Sequence, residues 1–512
     1  MATRLTYTTG SRSPELDRAF ETALAEARER EPEPLAHIVR GRDVATGEMF
    51  EREDPSRRQH VATRAREGRE VVAGAVDAAR EAQREWRRLP YSERVAVLRA
   101  TERLIDEYKL FLAAAISLEV GKVRTESIAE VEEAIDLIET YCRQVEESDG
   151  FATPLGQLSP DERNSDVLRP YGVFGVIAPF NFPFALGFGM AAAALLAGNA
   201  VVLKPPEEAP WSGGAVARLL ADAGVPDGVI SLVHGGPETG QALVASAIDG
   251  VAFTGSAQVG REIGRRLADG PFPRPVLAEM GGKNAAIVGA SADLDAAAEG
   301  IAKAAFGFSG QKCSACSRAI VVNDVHHELV ERLAAIAAAY SVGDPGDPDV
   351  ATGPVVNARA VERFERSVEA AQRDGVVAAG GLRGHGDGWF VEPTVVTGLP
   401  FAHPLTRDEL FLPFLTVVRV EDFDSALGEA NAVPYGLTAG VFSRDEAELD
   451  RFLDEIEAGV VYVNRRAGAT TGAWPGIQSF CGWKASGLTG KGGLGPYYVQ
   501  QFAREQSRTI VQ

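Results

Sequence analysis

Cysteine is scarce in this sequence of 512 residues. Its four cysteines, at positions 142, 313, 316 and 481, are too few for the disulfide framework of a small secreted protein. Cys313 and Cys316 form a CxxC pair, which fits half of a zinc site or a redox pair. No second CxxC and no HxxxH motif supplies the remaining zinc ligands, so the sequence argues against a structural zinc ion.

Long apolar runs are also missing. No stretch of about 18 apolar residues is present to span a bilayer. Residues 1–12 are polar and lack the pattern of a signal peptide. We therefore expect a cytoplasmic protein with no membrane partner.

Lysine is the rarest of the charged residues. Only eight of the 52 basic residues are lysines, and the formal net charge is −20, which argues against a nucleic-acid partner. An acidic surface with few lysines suits a cytoplasm of high salt, where screening weakens self-repulsion. A GC-biased genome would explain the arginine excess but not the acidity. The length indicates two or three domains, and 45% hydrophobic with 24% charged residues is typical of a globular protein.

The first half of the chain divides into a helical part and an alternating part. Helices are predicted over 13–30, from 71, and over 91–118 and 125–147, with loops and short strands over 34–65. A polar stretch containing glycine and proline, 148–170, predicts a hairpin that projects from the body.

From residue 172 onward, short apolar strands alternate with helices. Alternation at this spacing predicts parallel strands joined by crossover helices, in two successive α/β units. The predicted strands are 173–178, 200–203, 229–233 and 250–253 in the first unit, and 285–288 and 319–322 in the second. A cleft between the two units is expected near Glu279 and the Gly281-Gly282 pair.

One thiol and one carboxylate suggest covalent catalysis. Cys313 lies in the run GQKCSACSR, and Glu279 lies in EMGGKN, 34 residues earlier. Oxidation of an aldehyde through a thioester needs a thiolate that adds to the carbonyl and a base that later deprotonates water. These two residues would supply both groups, although other thiol chemistries also fit them.

Polar residues follow three of the predicted strands. Asn181, in PFNFP, could donate to an oxyanion without adding charge. Lys204 and Glu207, in LKPPEE, could hold ribose hydroxyls, and a carboxylate there would favour NAD over NADP. Gly255 and Ser256, in FTGSAQVG, would open a helix whose free N–H groups suit a pyrophosphate. Each motif alone would also fit an ordinary turn.

Taken together and in order, these motifs resemble the aldehyde dehydrogenase superfamily over nearly the whole chain. The runs are PFNFP, LKPPE, FTGSxxxG, EMGGKN, GQKCSACSR and DELFLPF. Three features are most similar to the family members that oxidise L-glutamate γ-semialdehyde to L-glutamate in proline breakdown. They are Lys-Cys-Ser at 312–314, the run at 464–472, and the tail at 482–497.

The resemblance implies an α/β fold with a Rossmann-type NAD-binding domain, an α/β catalytic domain and a small β oligomerisation element. The expected divisions are 1–147 with 167–284 for NAD binding, 285–480 for catalysis, and 148–166 with 481–512 for oligomerisation and the tail. The expected cofactor is NAD, and the expected partners are a small aldehyde and further copies of the chain, as a dimer or a multiple of dimers.

The resemblance also implies a function for individual residues. Cys313 would be the nucleophile, Glu279 the base for hydrolysis, and Asn181 together with the Cys313 N–H the oxyanion hole. The expected cofactor contacts are Lys204, Glu207, Gly255, Ser256, Glu409 and Phe411. The expected substrate contacts are Ser314, Ser486 and Gly487 for the α-carboxylate, Glu133 for the α-ammonium, and Phe182.

Two alternatives stay open from the sequence. The first is a dehydrogenase of 2-oxoglutarate semialdehyde or succinate semialdehyde, which an arginine anchor at Arg465 or Arg466 would favour. The second is a catalytically silent relative with a structural function, against which the presence of Cys313, Glu279 and Asn181 argues. Leu412, where the family usually has glycine, is expected to add bulk near the nicotinamide site.

Overall fold

Helices and strands alternate along most of the chain in the computed structural model, which describes residues 5–8 and 13–512. Two 3₁₀ turns cover Gly307–Gly310 and Val499–Phe502. The α-helices in the described residues are α1 (Pro14–Glu29), α2 (Val72–Trp86), α3 (Tyr91–Glu107), α4 (Lys109–Val120), α5 (Arg124–Glu147), α6 (Ala185–Leu196), α7 (Pro210–Asp222), α8 (Pro237–Ala245), α9 (Ala257–Ala268), α10 (Leu294–Phe306), α11 (Asn323–Ala339), α12 (Ala358–Asp374), α13 (Pro404–Arg407), α14 (Phe423–Asn431) and α15 (Glu446–Glu455).

The strands form two large sheets and three small ones. In the same residues they are β1 (Pro34–Leu35), β2 (His37–Val39), β3 (Arg42–Val44), β4 (Met49–Asp54), β5 (Arg57–Arg66), β6 (Ala152–Pro154), β7 (Glu162–Pro170), β8 (Val173–Ile177), β9 (Ala200–Lys204), β10 (Ile230–Leu232), β11 (Gly250–Thr254), β12 (Val276–Glu279), β13 (Asn284–Val288), β14 (Cys316–Val322), β15 (Val376–Ala379), β16 (Thr394–Thr397), β17 (Phe414–Val420), β18 (Tyr435–Gly436), β19 (Thr438–Phe442), β20 (Val460–Val463), β21 (Trp483–Lys484) and β22 (Ala503–Val511).

The first large sheet has seven strands in the order β12-β11-β8-β9-β10-β2-β3. The five strands from β12 to β10 are parallel, and β2 and β3 are added antiparallel at one edge. α2 packs on one face and α6 on the other, which explains why β8 and β9 are apolar and almost wholly buried. From β8 the chain builds outward to β10 and then returns to β11 on the other side. This reversal creates a crevice at the carboxyl ends of β8 and β11, where such sheets bind ligands.

The second large sheet has the order β15-β16-β17-β14-β13-β19-β20 and is parallel except for β15. α10 and α11 cover one face, and α14 and α15 cover the other. The first sheet ends with Glu279 on β12, and the second begins with Asn284 on β13. Only the four residues 280–283 therefore connect the two sheets at this point.

Most of the predicted helices and strands are confirmed, and one prediction is wrong. Residues 91–118 form two helices, because Tyr108 leaves the helical conformation with φ −95° and ψ 10°. α3 keeps an exposed face, whereas α4 is buried on all sides from Leu112 to Val120. The chain therefore changes direction between the two helices. β12 was not predicted, although it carries Glu279.

The predicted hairpin at 148–170 is confirmed. β6 pairs antiparallel with β7, and the C-terminal strand β22 pairs with β7 over nine residues. β22 is an outer strand of this three-stranded sheet and exposes apolar side chains, with Ile510 52% and Val511 66% exposed.

The two most apolar helices, α4 and α6, have 12 residues each and lie inside the protein. Among the residues that the structure describes, no helix is long and apolar enough to cross a bilayer.

Candidate active site

Cys313 lies on the loop between the 3₁₀ turn Gly307–Gly310 and β14. The first residue of β13, Asn284, fixes this loop by donating through Nδ2 to the carbonyls of Cys313 (2.7 Å) and Ala315 (2.9 Å). A Cβ on Gly282 would lie 2.8 Å from the Cys313 carbonyl oxygen, so glycine is needed for this close approach. Burial, with smaller contributions from Glu409 and Glu279, raises the pKa of the Cys313 thiol to about 12. The thiol is therefore protonated at neutral pH and needs activation.

Glu279 is the last residue of the edge strand β12. Burial raises the pKa of its carboxyl well above the usual value, and the backbone N–H of Gly482 opposes the rise. Its Oε2 is buried without a hydrogen-bond partner among the described residues. A carboxyl group whose pKa is raised in this way binds a proton more readily than an exposed carboxylate, as a general base requires.

Cys313 and Glu279 open into one cavity, here named the thiol cavity. The predicted residues Ser314, Glu133 and Phe182 also line it. Its other lining residues are Tyr7, Leu137, Tyr141, Leu186, Gly189, Met190, Thr254, Lys312, Thr471, Gly472, Ala473, Phe480, Gly493, Leu494 and Tyr498. The cavity thus combines a thiol, two carboxyl groups and largely apolar walls.

Asn181 is buried four residues after the end of β8, directly before Phe182 of the thiol cavity. Asn181 itself lines neither the thiol cavity nor the cleft lined by Lys204 and Glu207. No hydrogen bond from its side-chain amide is found among the described residues. Phe182 is fixed by Lys122, whose ammonium lies 3.5 Å from the ring centroid. Lys122 in turn forms a fully buried ion pair with Glu130 at 2.5 Å.

Ser486 and Gly487 are not part of the thiol cavity lining. Ser486 is fully buried, and its hydroxyl accepts a hydrogen bond from the Gly436 N–H (3.1 Å). Its carbonyl accepts from the Met280 N–H (2.8 Å), and Gly487 forms a β-bridge with Glu279. The structure therefore places this turn next to Glu279, which it supports, and outside the thiol cavity.

A second cleft lies at the carboxyl ends of β8, β9 and β11 and is here named the strand-end cleft. Four predicted residues line it: Lys204, Glu207, Gly255 and Ser256. Ser256 caps α9 by accepting from the Val259 N–H (3.4 Å), so the positive end of that helix faces the cleft. The predicted contacts for a nucleotide are thus brought together.

The strand-end cleft carries the chemical groups that suit a nucleotide. A Cβ on Gly236 would lie 2.6 Å from Glu207 Oε2, so glycine keeps room for this carboxylate. Lys204 is buried and donates to the Pro205 carbonyl (2.9 Å), and burial lowers its pKa. Burial raises the pKa of Glu207. A hydroxyl acceptor, a hydroxyl donor and a helix N-terminus are the groups that a ribose and a pyrophosphate require.

Glu409 and Phe411 lie between the two clefts and line neither. Glu409 accepts a hydrogen bond from the Gly282 N–H (2.9 Å), and a Cβ on Gly281 would lie 2.0 Å from its carboxylate. Burial raises the pKa of Glu409 to about 7. Phe411, in the left-handed region with φ 58°, packs edge-on against Phe180 of the strand-end cleft at 5.7 Å. Glu409 thus contacts the segment next to Cys313, and Phe411 contacts the lining of the strand-end cleft.

The expectation for Leu412 is wrong. Its side chain is 4% exposed and belongs to the hydrophobic cluster that contains Phe414 and Val391. It therefore adds no bulk to a ligand site, because the left-handed turn at Phe411 directs it into the core.

Asn284, Tyr7 and the segment 471–473 were not predicted from the sequence. Asn284 stands in the EMGGKN run, and an amide at the start of a buried strand was the available signal. Segment 471–473 begins inside the 464–472 run described above, and the carbonyls of its first two residues are held by the Arg465 guanidinium at 2.8 and 3.1 Å. Tyr7 gave no signal, because it is separated by more than a hundred residues from everything it contacts in the thiol cavity.

Comparison with known proteins agrees with this geometry. The model of the aldehyde dehydrogenase family matches residues 43–507. A 1-pyrroline-5-carboxylate dehydrogenase of Halalkalibacterium halodurans is 36% identical over 492 residues, which cover 94% of each chain. One from a Geobacillus species is 36% identical over 501 residues and 96% of each chain.

Solved structures give the same result for the fold. A Thermus 1-pyrroline-5-carboxylate dehydrogenase with bound NAD superposes with a TM-score of 0.94 at 34% identity, covering 100% of this chain and 99% of the other. Proline utilization A (PutA) of Bdellovibrio bacteriovorus gives 0.92 at 34% identity over 98% of this chain. The present chain covers 53% of the length of that PutA. The predicted fold class is thereby confirmed.

Proposed function

Since the chain belongs to the aldehyde dehydrogenase family, we propose that it oxidises L-glutamate γ-semialdehyde to L-glutamate with NAD, as a step of proline degradation. The observation that carries this proposal is the thiol cavity, which is lined by the Cys313 thiol, the Glu279 carboxyl and, on α5, the Glu133 carboxylate. The first two groups suit aldehyde oxidation, and the third suits an ammonium on the same substrate. The similarity to the two bacterial 1-pyrroline-5-carboxylate dehydrogenases and to the Thermus enzyme supports the proposal.

Two side chains carry the covalent chemistry, Cys313 and Glu279. The Cys313 thiol gives its proton to solvent water as its sulfur adds to the aldehyde carbon, while Asn181 and the Cys313 N–H stabilise the oxyanion. NAD, held by Lys204, Glu207 and the N-terminus of α9, would supply the hydride acceptor. Glu279 then takes a proton from the water that attacks the thioester, the carbon–sulfur bond breaks to release L-glutamate, and the sulfur takes up a proton to restore the thiol.

The arginine anchor of the alternative substrates finds no support. The Arg465 guanidinium is bound to the Thr471 and Gly472 carbonyls and lies 4.8 Å from the Tyr462 ring centroid. Arg466 is exposed and paired with Glu299 at 2.5 Å. Neither arginine lines the thiol cavity, where an oxo-acid anchor would be needed.

The substrate is tested by NADH formation with three aldehydes. L-Glutamate γ-semialdehyde is expected to give the highest kcat/KM, above 2-oxoglutarate semialdehyde and succinate semialdehyde, because only it carries the ammonium that Glu133 would bind. A best substrate without the amino group would show that the proposed substrate is wrong. No turnover of any aldehyde would favour a structural function instead.

Exchanging Glu207 for serine is expected to weaken the preference for NAD. The carboxylate would accept hydrogen bonds from ribose hydroxyls and would repel a 2′-phosphate, so the ratio of kcat/KM for NAD over NADP should fall about tenfold or more. Glu238→Gln is the matched control, because Glu238 is exposed on α8, pairs with Arg69 and lies outside the strand-end cleft. An unchanged ratio in the Glu207 variant would contradict the assignment.

The remaining assignments follow from the same family membership. We propose that the β6–β7 hairpin and β22 form an interface between copies of the chain, because β22 presents a free strand edge with exposed apolar side chains. The domain division is proposed as 1–147 with 167–284 for NAD binding, 285–480 for catalysis, and the remainder for oligomerisation and the tail. A cytoplasmic location, with an acidic surface suited to high salt, is proposed from the composition.

A further inference from the structure

Tyr7, near the N-terminus, reaches into the thiol cavity. Its hydroxyl donates a hydrogen bond of 2.5 Å to Oε2 of Glu133 on α5. Its ring makes edge-to-face contacts with Phe182 (5.6 Å between centroids) and Trp474 (5.5 Å). The Lys312 ammonium, one residue before the nucleophile, lies 5.7 Å from the ring centroid. Tyr7 therefore contacts Glu133 and Phe182 of the cavity lining and also lies against the loop that carries Cys313.

The segment that carries Tyr7 is fixed on both sides. Leu5 is buried in the main hydrophobic cluster, and the Thr8 hydroxyl accepts a hydrogen bond from Arg465 (3.4 Å). A Cβ on Gly472 would lie 2.8 Å from the Thr8 side chain, and Gly472 has φ 105°. Glycine there lets the N-terminal segment lie against segment 471–473, and the phenol is held in one position.

Glu133 keeps an acceptor free for a ligand. A carboxylate offers about four lone-pair positions. Tyr7 occupies one of them on Oε2, and no other hydrogen bond to this carboxylate is found among residues 5–8 and 13–512. Because Glu133 lines the cavity, an ammonium can bind Oε1 while the phenol holds Oε2.

We propose that Tyr7 is a positioning residue that holds the Glu133 carboxylate toward the substrate ammonium, and so makes the enzyme select aldehydes that carry an α-amino group. The proposal rests on the proposed function, since it assumes that the substrate is an amino aldehyde. Nothing in the motif pattern points to this residue, because the N-terminal segment precedes the part of the chain that matches the family model.

Electrostatics give the phenol a second effect. Burial raises the pKa of Glu133 to about 7, and the hydrogen bond from Tyr7 opposes this rise. Glu130 adds to the rise, Lys122 and Lys312 oppose it, and Tyr141 lines the same cavity. Removing the phenol hydroxyl would raise the pKa further, so less of the Glu133 carboxyl would be ionised at neutral pH.

Tyr7→Phe tests the proposal with two matched aldehydes. The variant keeps the ring but removes the hydrogen bond to Glu133. With L-glutamate γ-semialdehyde, KM is expected to rise about tenfold with little change in kcat, because one hydrogen bond to a charged group is lost. With 5-oxopentanoate, which has the same chain without the amino group, both constants should stay within about twofold.

Binding to the cofactor-free protein gives a readout besides activity. Calorimetry should show that Tyr7→Phe binds L-glutamate about tenfold more weakly than wild type near pH 7, with glutarate unchanged. The deficit should shrink at about pH 8.5, where Glu133 ionises again. Tyr91→Phe is the matched control, because it removes a phenol-to-carboxylate hydrogen bond to Asp149 (3.0 Å) on the exposed surface.

The outcomes separate the two proposals. Equal losses for both aldehydes would mean that Tyr7 only shapes the wall, and no loss for either would mean that it positions nothing; both results overturn the inference. If the wild type itself preferred 5-oxopentanoate, the proposed substrate would be wrong, and the inference would fail with it. A wild type that prefers the amino aldehyde, with a Tyr7→Phe variant that prefers it equally, overturns the inference alone.

Discussion

Replacing Cys313 by alanine is expected to abolish NADH formation, with kcat reduced about 10⁴-fold or more. No other cysteine lines the thiol cavity, so no second sulfur can form the covalent intermediate. The measurement is steady-state NADH production with saturating aldehyde and NAD. Ordinary turnover by the variant would remove the covalent mechanism altogether.

Cys316→Ala is the matched control for this experiment. Both cysteines belong to one CxxC pair, but Cys316 lies on β14 within the core, where its sulfur contacts the Arg318 carbonyl at 3.4 Å. We expect activity within about threefold of the wild type. Loss of activity in both variants, with retained circular dichroism, would point to a chemistry that needs the pair.

Glu279→Gln is expected to lower kcat by about 10²- to 10⁴-fold while leaving a burst of NADH in the first turnover. Glutamine has the size of the carboxyl group but cannot take a proton from water, so the thioester should form and then persist. Rapid-mixing absorbance of NADH checks this directly. If the burst slowed as much as the steady state, Glu279 would be needed before hydrolysis.

The melting temperature of the same variant tests whether glutamine disturbs the folded site. Because burial raises the pKa of Glu279 above its unfolded value, the native state holds a proton that the unfolded state releases as pH rises past the unfolded value. The stability that this carboxyl contributes is therefore present at low pH and is lost as pH rises toward the native pKa. Glu279→Gln should unfold at a higher temperature than wild type at pH 8, and the difference should vanish toward about pH 4. A lower melting temperature at pH 8 would mean that glutamine disturbs the site.

The predicted residues that the structure brings together most completely are those whose position follows from a strand end. Lys204, Glu207, Gly255 and Ser256 stand at or after parallel strands, and parallel strands end at one edge of a sheet. Only the order of strands and helices was needed to predict that these four residues meet in one cleft. The thiol cavity was predicted in part, since Cys313, Ser314 and Glu279 lie in recognisable runs.

The missed residues depend on contacts between distant parts of the chain. Ser486 was expected to donate to the substrate carboxylate, and the structure places it outside the thiol cavity, where its hydroxyl accepts from the Gly436 N–H and its carbonyl accepts from the Met280 N–H. A turn that supports Glu279 and a turn that binds a substrate have the same local sequence pattern, and only the packing distinguishes them. Tyr7 is separated from Glu133 by 126 residues, and no periodicity or motif connects the two.

The short connection between the two sheets has a mechanical consequence. Residues 280–283 are anchored at three points: to the Ser486 carbonyl, to Glu409 and, through Lys283 Nζ, to the Leu405 carbonyl (2.8 Å). In any rotation of one sheet against the other, Glu279 would lie next to the pivot. Glu207 lies beyond the third strand from Glu279 in the first sheet and so roughly 14 Å from it. In such a rotation Glu207 would therefore move farther than Glu279. Because the strand-end cleft is lined only by residues that precede this connection, such a rotation would change the distance from the cleft to Cys313 while Glu279 stays near the thiol.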